Sequence, residues 1–384
     1  MYNKLIRITT VPLSLEKLLE NQLQFMKDHY HITAVSSDKL RLEKFGQSQG
    51  VDVFHVELTR KITPLKDIKA VIKLYKFFKK EQPFIVHTHT PKAGVVGMLA
   101  SYLARVPNRL HTVAGLPLIE ATGFKRSVLN LVEKLTYFCA TRVYPNSFAL
   151  KNIILKYKFT NEKKLNVIGT GSSNGIDTSY FNPELYSSEE RSKLKRELKI
   201  KEQDIVFVFV GRVTGDKGVN ELVQAFDRLC QSHKEVKLLI VGPYEDHLDP
   251  IKDSSKKIIL NNRNIITTGY QQDVRPYFSI SNVLTFPSYR EGFPNVVLQA
   301  GAMGLPSIVT DINGCNEIIQ DSLNGKIIPV KDSDSLYKEM VLFLEKKSLL
   351  DNLSLGTRKI IKENYEREIF WKELLKEYKT LNNV

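Results

Sequence analysis

Short runs of β-branched and aromatic residues recur along the chain, each followed by a longer stretch of helical period. In the first half these runs predict strands at residues 4–9, 31–35, 51–57, 84–89, 109–113 and 142–145. In the second half the scheme starts afresh, with strands at 204–210, 236–241, 265–268, 283–286 and 307–310. Strands that alternate with helices form parallel sheets covered by helices, so an α/β fold with two Rossmann-like β/α/β domains is expected. Between the halves, NVIGTGSSNGIDTSYFNP is dense in Gly, Ser, Asn and Pro and reads as the linker. It divides the chain into 1–175 and 176–365, and a last helical segment from about 351 to 381 carries Trp371, the only tryptophan.

Length agrees, because 384 residues exceed what one hydrophobic core serves. With 42% apolar and 26% charged residues the composition is that of a globular protein. The three cysteines, Cys139, Cys230 and Cys315, are an odd number at wide spacing, which fits neither a disulfide framework nor a zinc cluster. The N-terminal stretch lacks the order of a signal peptide, and no run of eighteen apolar residues occurs. Together these point to a cytoplasmic protein.

Charge changes that picture. The net +14 is entirely N-terminal: residues 1–175 carry 27 Lys and Arg against 12 Asp and Glu, residues 176–384 carry 29 against 30. The segment PLKDIKAVIKLYKFFKK places Lys66, Lys69, Lys73, Lys76 and Lys80 in one helical stripe, with Ile68, Val71, Ile72, Tyr75 and Phe78 expected on the opposite, inward side. Such a stripe is either a solvated face or a surface for anionic lipid. The latter would make the protein peripheral at the inner face of the cytoplasmic membrane. Aromatic-interleaved basic motifs are lacking, so no nucleic-acid partner is expected.

Two segments carry candidate chemistry. DIVFVFVGRVTGDKGVNELVQAF reads as an apolar strand, a Gly-punctuated loop with Gly211, Arg212 and Lys217, and a helix capped at or near Asp216. Strand, Gly loop and helix start form a phosphate cradle, because free N–H groups and the positive helix end face the loop. FPSYREGFPNVVLQAGAMGLPSIVTD places Glu291 in a loop and Pro294 in the first turn of a helix ending near Met303. There a carboxylate can meet sugar hydroxyls, and the amides near Asn295 and Val296 can meet phosphate.

The ordered set GRVTGDKG, VGP, GYQQDVRPYFSISNVLTFPSYREGFPNVVLQAGAMGLPSIVTD, NEII and NGKIIP resembles the donor domain of retaining GT-B glycosyltransferases of family four. TTVPLSLEKLLENQL, IVHTHTPKAGVVGMLA, RLHTVAGLP and the connector GSSNGID are similar to its capsule and O-antigen branch. The resemblance implies a GT-B fold whose two domains face across a cleft, with residues 366–384 crossing back to the first domain. It also implies transfer of a hexose or N-acetylhexosamine from a nucleotide sugar, UDP-linked by family habit, to a glycan or polyprenyl-linked acceptor. No cofactor or metal is required.

Carried over residue by residue, the resemblance assigns the donor diphosphate to Arg212 and Lys217 and the donor sugar to Glu291, with Gly292 and Phe293 following in its loop. Gly269, Tyr270 and Gln271 stand where backbone groups hold the base. Gln299 replaces the second Glu of the family signature at the ribose, and a neutral amide still hydrogen-bonds hydroxyls. Ala114 replaces a family His that touches the donor sugar, which leaves His89 and His111 as candidate substitutes. The acceptor is expected on the first domain along 10–14, 89–92 and 116–126, with Thr10, Pro12, His89, Lys92, His111 and Arg126 as candidates.

Other motifs are set aside. Gly171-Ser172-Ser173-Asn174-Gly175 matches a hydrolase nucleophile elbow by letter, but no helix is expected after it. Asp332-Ser333-Asp334 reads as a helix cap rather than a metal site. His87 and His89, like His29 and His31, share a strand face without a third ligand. Rival readings are a nucleotide-sugar epimerase or hydrolase, which would act on the donor alone, and a nonenzymatic basic membrane binder.

Overall fold

A computed structural model describes residues 3–59, 61–116 and 122–381, apart from the side chain of Lys125. The chain forms two compact units: Met1–Asn174 with Arg367–Val384, and Gly175–Glu366. Each unit is a Rossmann-like α/β layer structure around one six-stranded parallel sheet.

The first sheet contains β1 (Lys4–Ile8), β2 (His31–Ser36), β3 (Asp52–His55), β4 (Ile85–His89), β5 (Asn108–Val113) and β6 (Arg142–Pro145). Its helices are α1 (Pro12–Ser14), α2 (Gln22–Met26), α3 (Lys39–Gln49), α4 (Pro64–Glu81), α5 (Pro91–Leu103), α6 (Gly123–Cys139) and α7 (Phe148–Lys156). The strand order β3-β2-β1-β4-β5-β6 reverses between β1 and β4, where Leu5 pairs with Ile85. Successive side chains of a strand face opposite ways. Ile6, Ile8, Val86 and Val143 accordingly pack under α4, α5 and α6, whereas Leu5, Ile85, Leu110 and Tyr144 pack under α2 and the C-terminal helix.

In the second unit, α8 (Ser188–Glu197) precedes a sheet of β7 (Ile205–Val210), β8 (Val236–Val241), β9 (Ile265–Gly269), β10 (Val283–Phe286), β11 (Ser307–Thr310) and β12 (Gly325–Ile328). Between and after these strands lie α9 (Val219–Ser232), α10 (Asp253–Asn261), α11 (Arg275–Ser279), α12 (Asn295–Ala302), α13 (Cys315–Ile318), α14 (Ser333–Glu345) and α15 (Lys347–Tyr365). The order is β12-β11-β10-β7-β8-β9, again wholly parallel. All the loops that follow these strands therefore emerge along one edge of the sheet.

Three expectations need correction. The connector is not merely a solvated linker: Ser172, Asn174, Ile176 and Phe181 are buried. Its Asn174 is satisfied by distant parts of the chain, since Oδ1 accepts bonds from Gln22 Nε2 (2.9 Å) and Trp371 Nε1 (2.6 Å). The C-terminal segment is two helices, because Glu366 leaves the helical region (ψ 134°) before α16 (Arg367–Thr380) begins. Its carboxylate there accepts the Thr178 N–H and hydroxyl. Finally, the inward face of α4 is Ala70, Leu74 and Phe78, while Ile68, Ile72 and Tyr75 are exposed.

Candidate functional site

The two informative segments meet at the carboxyl edge of the second sheet. β7 is almost wholly buried and delivers Gly211 and Arg212 at its end. The helix cap falls near Asp216 but not on it. Asp216 lies in a single 3-10 turn, Gly215–Lys217, and α9 starts from Gly218. Gly218 has φ +69°, and a Cβ there would lie 2.0 Å from the Pro287 carbonyl oxygen. Glycine thus lets the loop after β7 lie directly against the loop after β10.

That approach joins Lys217 to Glu291. The ammonium is ion-paired to Glu291 Oε1, and the two side chains are only 13% and 17% exposed. Ser288 Oγ donates to the same oxygen at 3.0 Å, and Lys217 Nζ stands 5.8 Å from the centroid of the Phe286 ring. Asp216 lies alongside: Thr214 donates to it at 2.6 Å and Arg290 at 3.1 Å. Burial acts to raise the Asp216 carboxyl, but the Thr214 bond and the charges of Lys217, Arg290 and Arg212 hold it below its ordinary value. Arg212 is 40% exposed and pairs with Glu245 at 3.2 Å.

The second loop is fixed from behind. Tyr289 N donates to the Asp216 carbonyl at 2.9 Å, and Tyr289 Oη donates to Glu221 at 2.6 Å. The Asn313 amide donates to the Glu291 carbonyl and the Thr310 hydroxyl to that of Ser288. Gly314, at φ +78°, passes so close that a Cβ would lie 2.6 Å from the Gly292 carbonyl oxygen. Gly292 and Phe293 lead into Pro294, which is the N-cap of α12 rather than its first residue. The first-turn residues Asn295 and Val296 are exposed and half-exposed, so their unpaired N–H groups form an accessible positive end. Gln299, one turn further, is half-buried.

Gly269, Tyr270 and Gln271 sit at the end of β9, on the same sheet edge. Gly269 has φ +65° and accepts the Gly242 N–H at 2.9 Å; Gln271 Nε2 donates to the Thr268 carbonyl at 2.9 Å, and Tyr270 is exposed. Arg212, Lys217, Glu291 and a helix start thus line one edge of the sheet, with backbone donors at the start of α12. Such a set can neutralise a diphosphate and grip hydroxyls.

The first-unit candidates separate. Thr10 meets Thr90 at the reversal point of the sheet, hydroxyl to hydroxyl at 2.7 Å, and Pro12 opens α1. Lys92, at the start of α5, pairs with Asp67 at 2.5 Å. His89 is buried with its ring 4.4 Å from that of His87, and burial followed by the charges of Arg7 and His111 pulls its imidazole well below the ordinary value. His111 lies on the other sheet face, bonded to Thr88 at 2.8 Å and packed against Gly94; burial pulls it down to about 4. Arg126 stacks over Tyr157 at 5.4 Å. Residues 117–121 of the third candidate segment lie outside the described residues. Asp332 caps α14, accepting the Ser335 N–H at 2.9 Å. Among the described residues no group of three His, Cys, Asp or Glu could hold a metal.

Ser288, Asn313, Thr310 and Glu245 were not singled out from the sequence, and Asp216 was singled out only as a helix cap. The signal for Asn313 was its neighbour Gly314, a glycine just after a strand, where close backbone approach is common.

Comparison with known proteins gives the same outline. The family model described as Glycosyl transferases group 1 matches residues 190–360, and that described as Glycosyl transferase 4-like matches residues 16–147. The chain is 32% identical over 379 residues to the capsular polysaccharide biosynthesis glycosyltransferase CapM of Staphylococcus aureus, covering 98% of this chain and 97% of the relative. It is also 32% identical over 298 residues to the Escherichia coli UDP-Gal:alpha-D-GlcNAc-diphosphoundecaprenol alpha-1,3-galactosyltransferase, covering 76% and 74%. Among solved structures, Anabaena Alr3699/HepE in complex with UDP superposes with a TM-score of 0.80 at 17% identity, over 99% of this chain and all of that one. At that identity the likeness speaks to the fold alone, which is the expected GT-B type.

Proposed function

The chain belongs to the group 1 glycosyltransferases, and from that premise we propose that it moves a hexose or N-acetylhexosamine from a UDP-sugar to a polyprenyl-linked or free glycan acceptor, with retention of anomeric configuration, in surface polysaccharide biosynthesis. The enzyme class follows from the family; the donor is supported by the UDP held by the Anabaena structure and the acceptor by the diphosphoundecaprenol substrate in the E. coli relative's name. The carrying observation is the Lys217–Glu291 pair beside Arg212 and the α12 start.

With no anion present, Lys217 and Glu291 neutralise each other. When the donor arrives, its diphosphate takes over Lys217 and Arg212, and the released Glu291 carboxylate accepts hydroxyls of the sugar. The bond from the anomeric carbon to the β-phosphate oxygen then breaks, leaving UDP. The acceptor hydroxyl oxygen bonds to the same carbon on the same face, and its proton passes to the departing phosphate. Negative charge grows on that phosphate, so electrostatic stabilisation by Lys217, Arg212 and the N–H groups of Asn295 and Val296 is the main catalytic term. Glu291 positions the sugar and forms no covalent bond. Acceptor recognition is assigned to the first unit, around Thr10, His89 and Lys92, and the lipid-linked form makes the enzyme peripheral at a membrane.

Incubation of the protein with labelled UDP-sugars, with and without a polyprenyl diphosphate-linked sugar, tests this reading. UDP and glycosylated lipid should appear in equal amounts, only when both substrates are present. Isomerised sugar with intact nucleotide from the donor alone would establish the epimerase instead. Because side chains and a helix end supply the positive charge, EDTA is expected to leave the initial rate within about twofold. A separate measurement addresses the ribose. Gln299→Glu should tighten UDP by about five- to tenfold in calorimetry, the difference between a neutral and a charge-assisted hydrogen bond; unchanged affinity would place the ribose elsewhere.

A further inference from the structure

Two helices of the first unit turn apolar rows to solvent. On α4 the buried row is Ala70, Leu74 and Phe78, yet a second row, Leu65, Ile68, Ile72 and Tyr75, is 79%, 56%, 50% and 37% exposed. These residues recur at steps of three, four and three, so they lie on one stripe. Lys66, Lys69, Lys73, Lys76 and Lys80, all exposed, form the adjoining stripe. The two acids of α4 do not oppose it, because Asp67 pairs with Lys92 and Glu81 with Lys4.

α6 buries Tyr137 and Cys139 but also turns an apolar row outward. Phe124, Leu131, Leu135 and Phe138 are 85%, 68%, 37% and 64% exposed on one stripe, while Glu133 and Thr136 are buried. α4, α5 and α6 cover the same face of the first sheet, so both rows belong to one helical layer. At its end Tyr102 of α5 joins them, its ring 5.7 Å from that of Phe138.

Single exposed apolar residues need no explanation, but rows at helical spacing on the two helices that flank α5 in one layer mark a surface that is covered in use. A second copy is a poor cover, since two-fold pairing through this face would set the lysine stripe against itself. An anionic bilayer suits both features: apolar side chains enter the head-group boundary while lysines stay at the phosphates. We propose that the outer face of α4 and α6 is the surface by which the protein sits on an anionic membrane. The inference rests on the lipid-linked acceptor proposed above and names its partner surface.

Flotation of the full chain with vesicles, with and without phosphatidylglycerol, tests it. The protein should float with the anionic vesicles, less so as salt rises. Lys69→Gln, Lys73→Gln and Lys76→Gln together should lower the partition coefficient on the order of 100-fold, and Leu131→Ser with Phe138→Ser about tenfold or more. UDP binding and thermal unfolding should be unchanged in both variants, which separates docking from misfolding. A wild-type protein that stays with the soluble fraction, or variants that float like wild type, would overturn the proposal. So would face variants that turn a dimer into a monomer without altering flotation. Transfer to a detergent-solubilised lipid-linked sugar is measured in parallel. Transfer without flotation removes the surface and keeps the acceptor; flotation without transfer does the reverse.

Discussion

Lys217→Ala is expected to lower kcat for sugar transfer by about 10²- to 10³-fold, the scale for removing one preorganised charge from a developing oxyanion. Two consequences of the substitution can be separated. The first, on the proposed mechanism, is loss of the ammonium from the donor diphosphate, which costs some donor affinity and most as the bond to the leaving phosphate breaks. The second is a Glu291 left without its ion-pair partner, at 17% exposure; beside the diphosphate of the proposed mechanism it weakens donor binding and raises KM. Adding Glu291→Gln to Lys217→Ala removes that repulsion but not the missing cation. The double variant should therefore recover part of the KM and none of the kcat, in initial-rate measurements across donor concentrations. Near-normal turnover of Lys217→Ala at saturating donor would remove Lys217 from the mechanism.

Much of this architecture could be read from the sequence because apolar periodicity is a local signal. β7, IVFVFV, is buried on both faces and shows as an unbroken apolar run. β12 escaped because it is a four-residue edge strand, GKII, that opens with Gly and Lys and is paired on one side only. The face of α4 was misjudged for a related reason. Three stripes of that helix compete, and Ala70 adds little to the apolar count of the stripe that is in fact buried. Composition cannot say which of two apolar stripes meets the sheet; neighbouring elements decide it.

The site was legible in its parts and hidden in its joints. Arg212, Lys217 and Glu291 stand in segments whose Gly loops and strand ends mark them locally. The sequence could not give the contact that binds Lys217 to Glu291, 74 residues away, nor the Asn313 and Thr310 bonds that hold the Glu291 loop. Those depend on β7, β10 and β11 lying side by side. Loops from adjacent parallel strands meet at one edge, and strand order is a property of the whole sheet.

Gly218 is where that meeting is most constrained, and Gly218→Ala should be among the most damaging substitutions in the second unit. At φ +69° an L-residue bears about 1–2 kcal/mol of backbone strain. The added Cβ also falls 2.0 Å from the Pro287 carbonyl oxygen, a contact with backbone that no rotamer can relieve. Overpacking of this kind adds about 1–3 kcal/mol, so a fall in Tm of roughly 4–20 °C is expected for a domain of this size. Gly304 is the matched control: its φ is +83°, but nothing lies within 4 Å of the place a Cβ would take. Gly304→Ala should therefore show the strain without the clash. The alanine at 218 must push the two loops apart, and with them Lys217 from Glu291, so it should also weaken UDP binding while Gly304→Ala leaves it intact. Equal stability and equal UDP affinity in the two variants would mean that the loops after β7 and β10 are not held together at Gly218, and the donor cradle would lose its geometric basis.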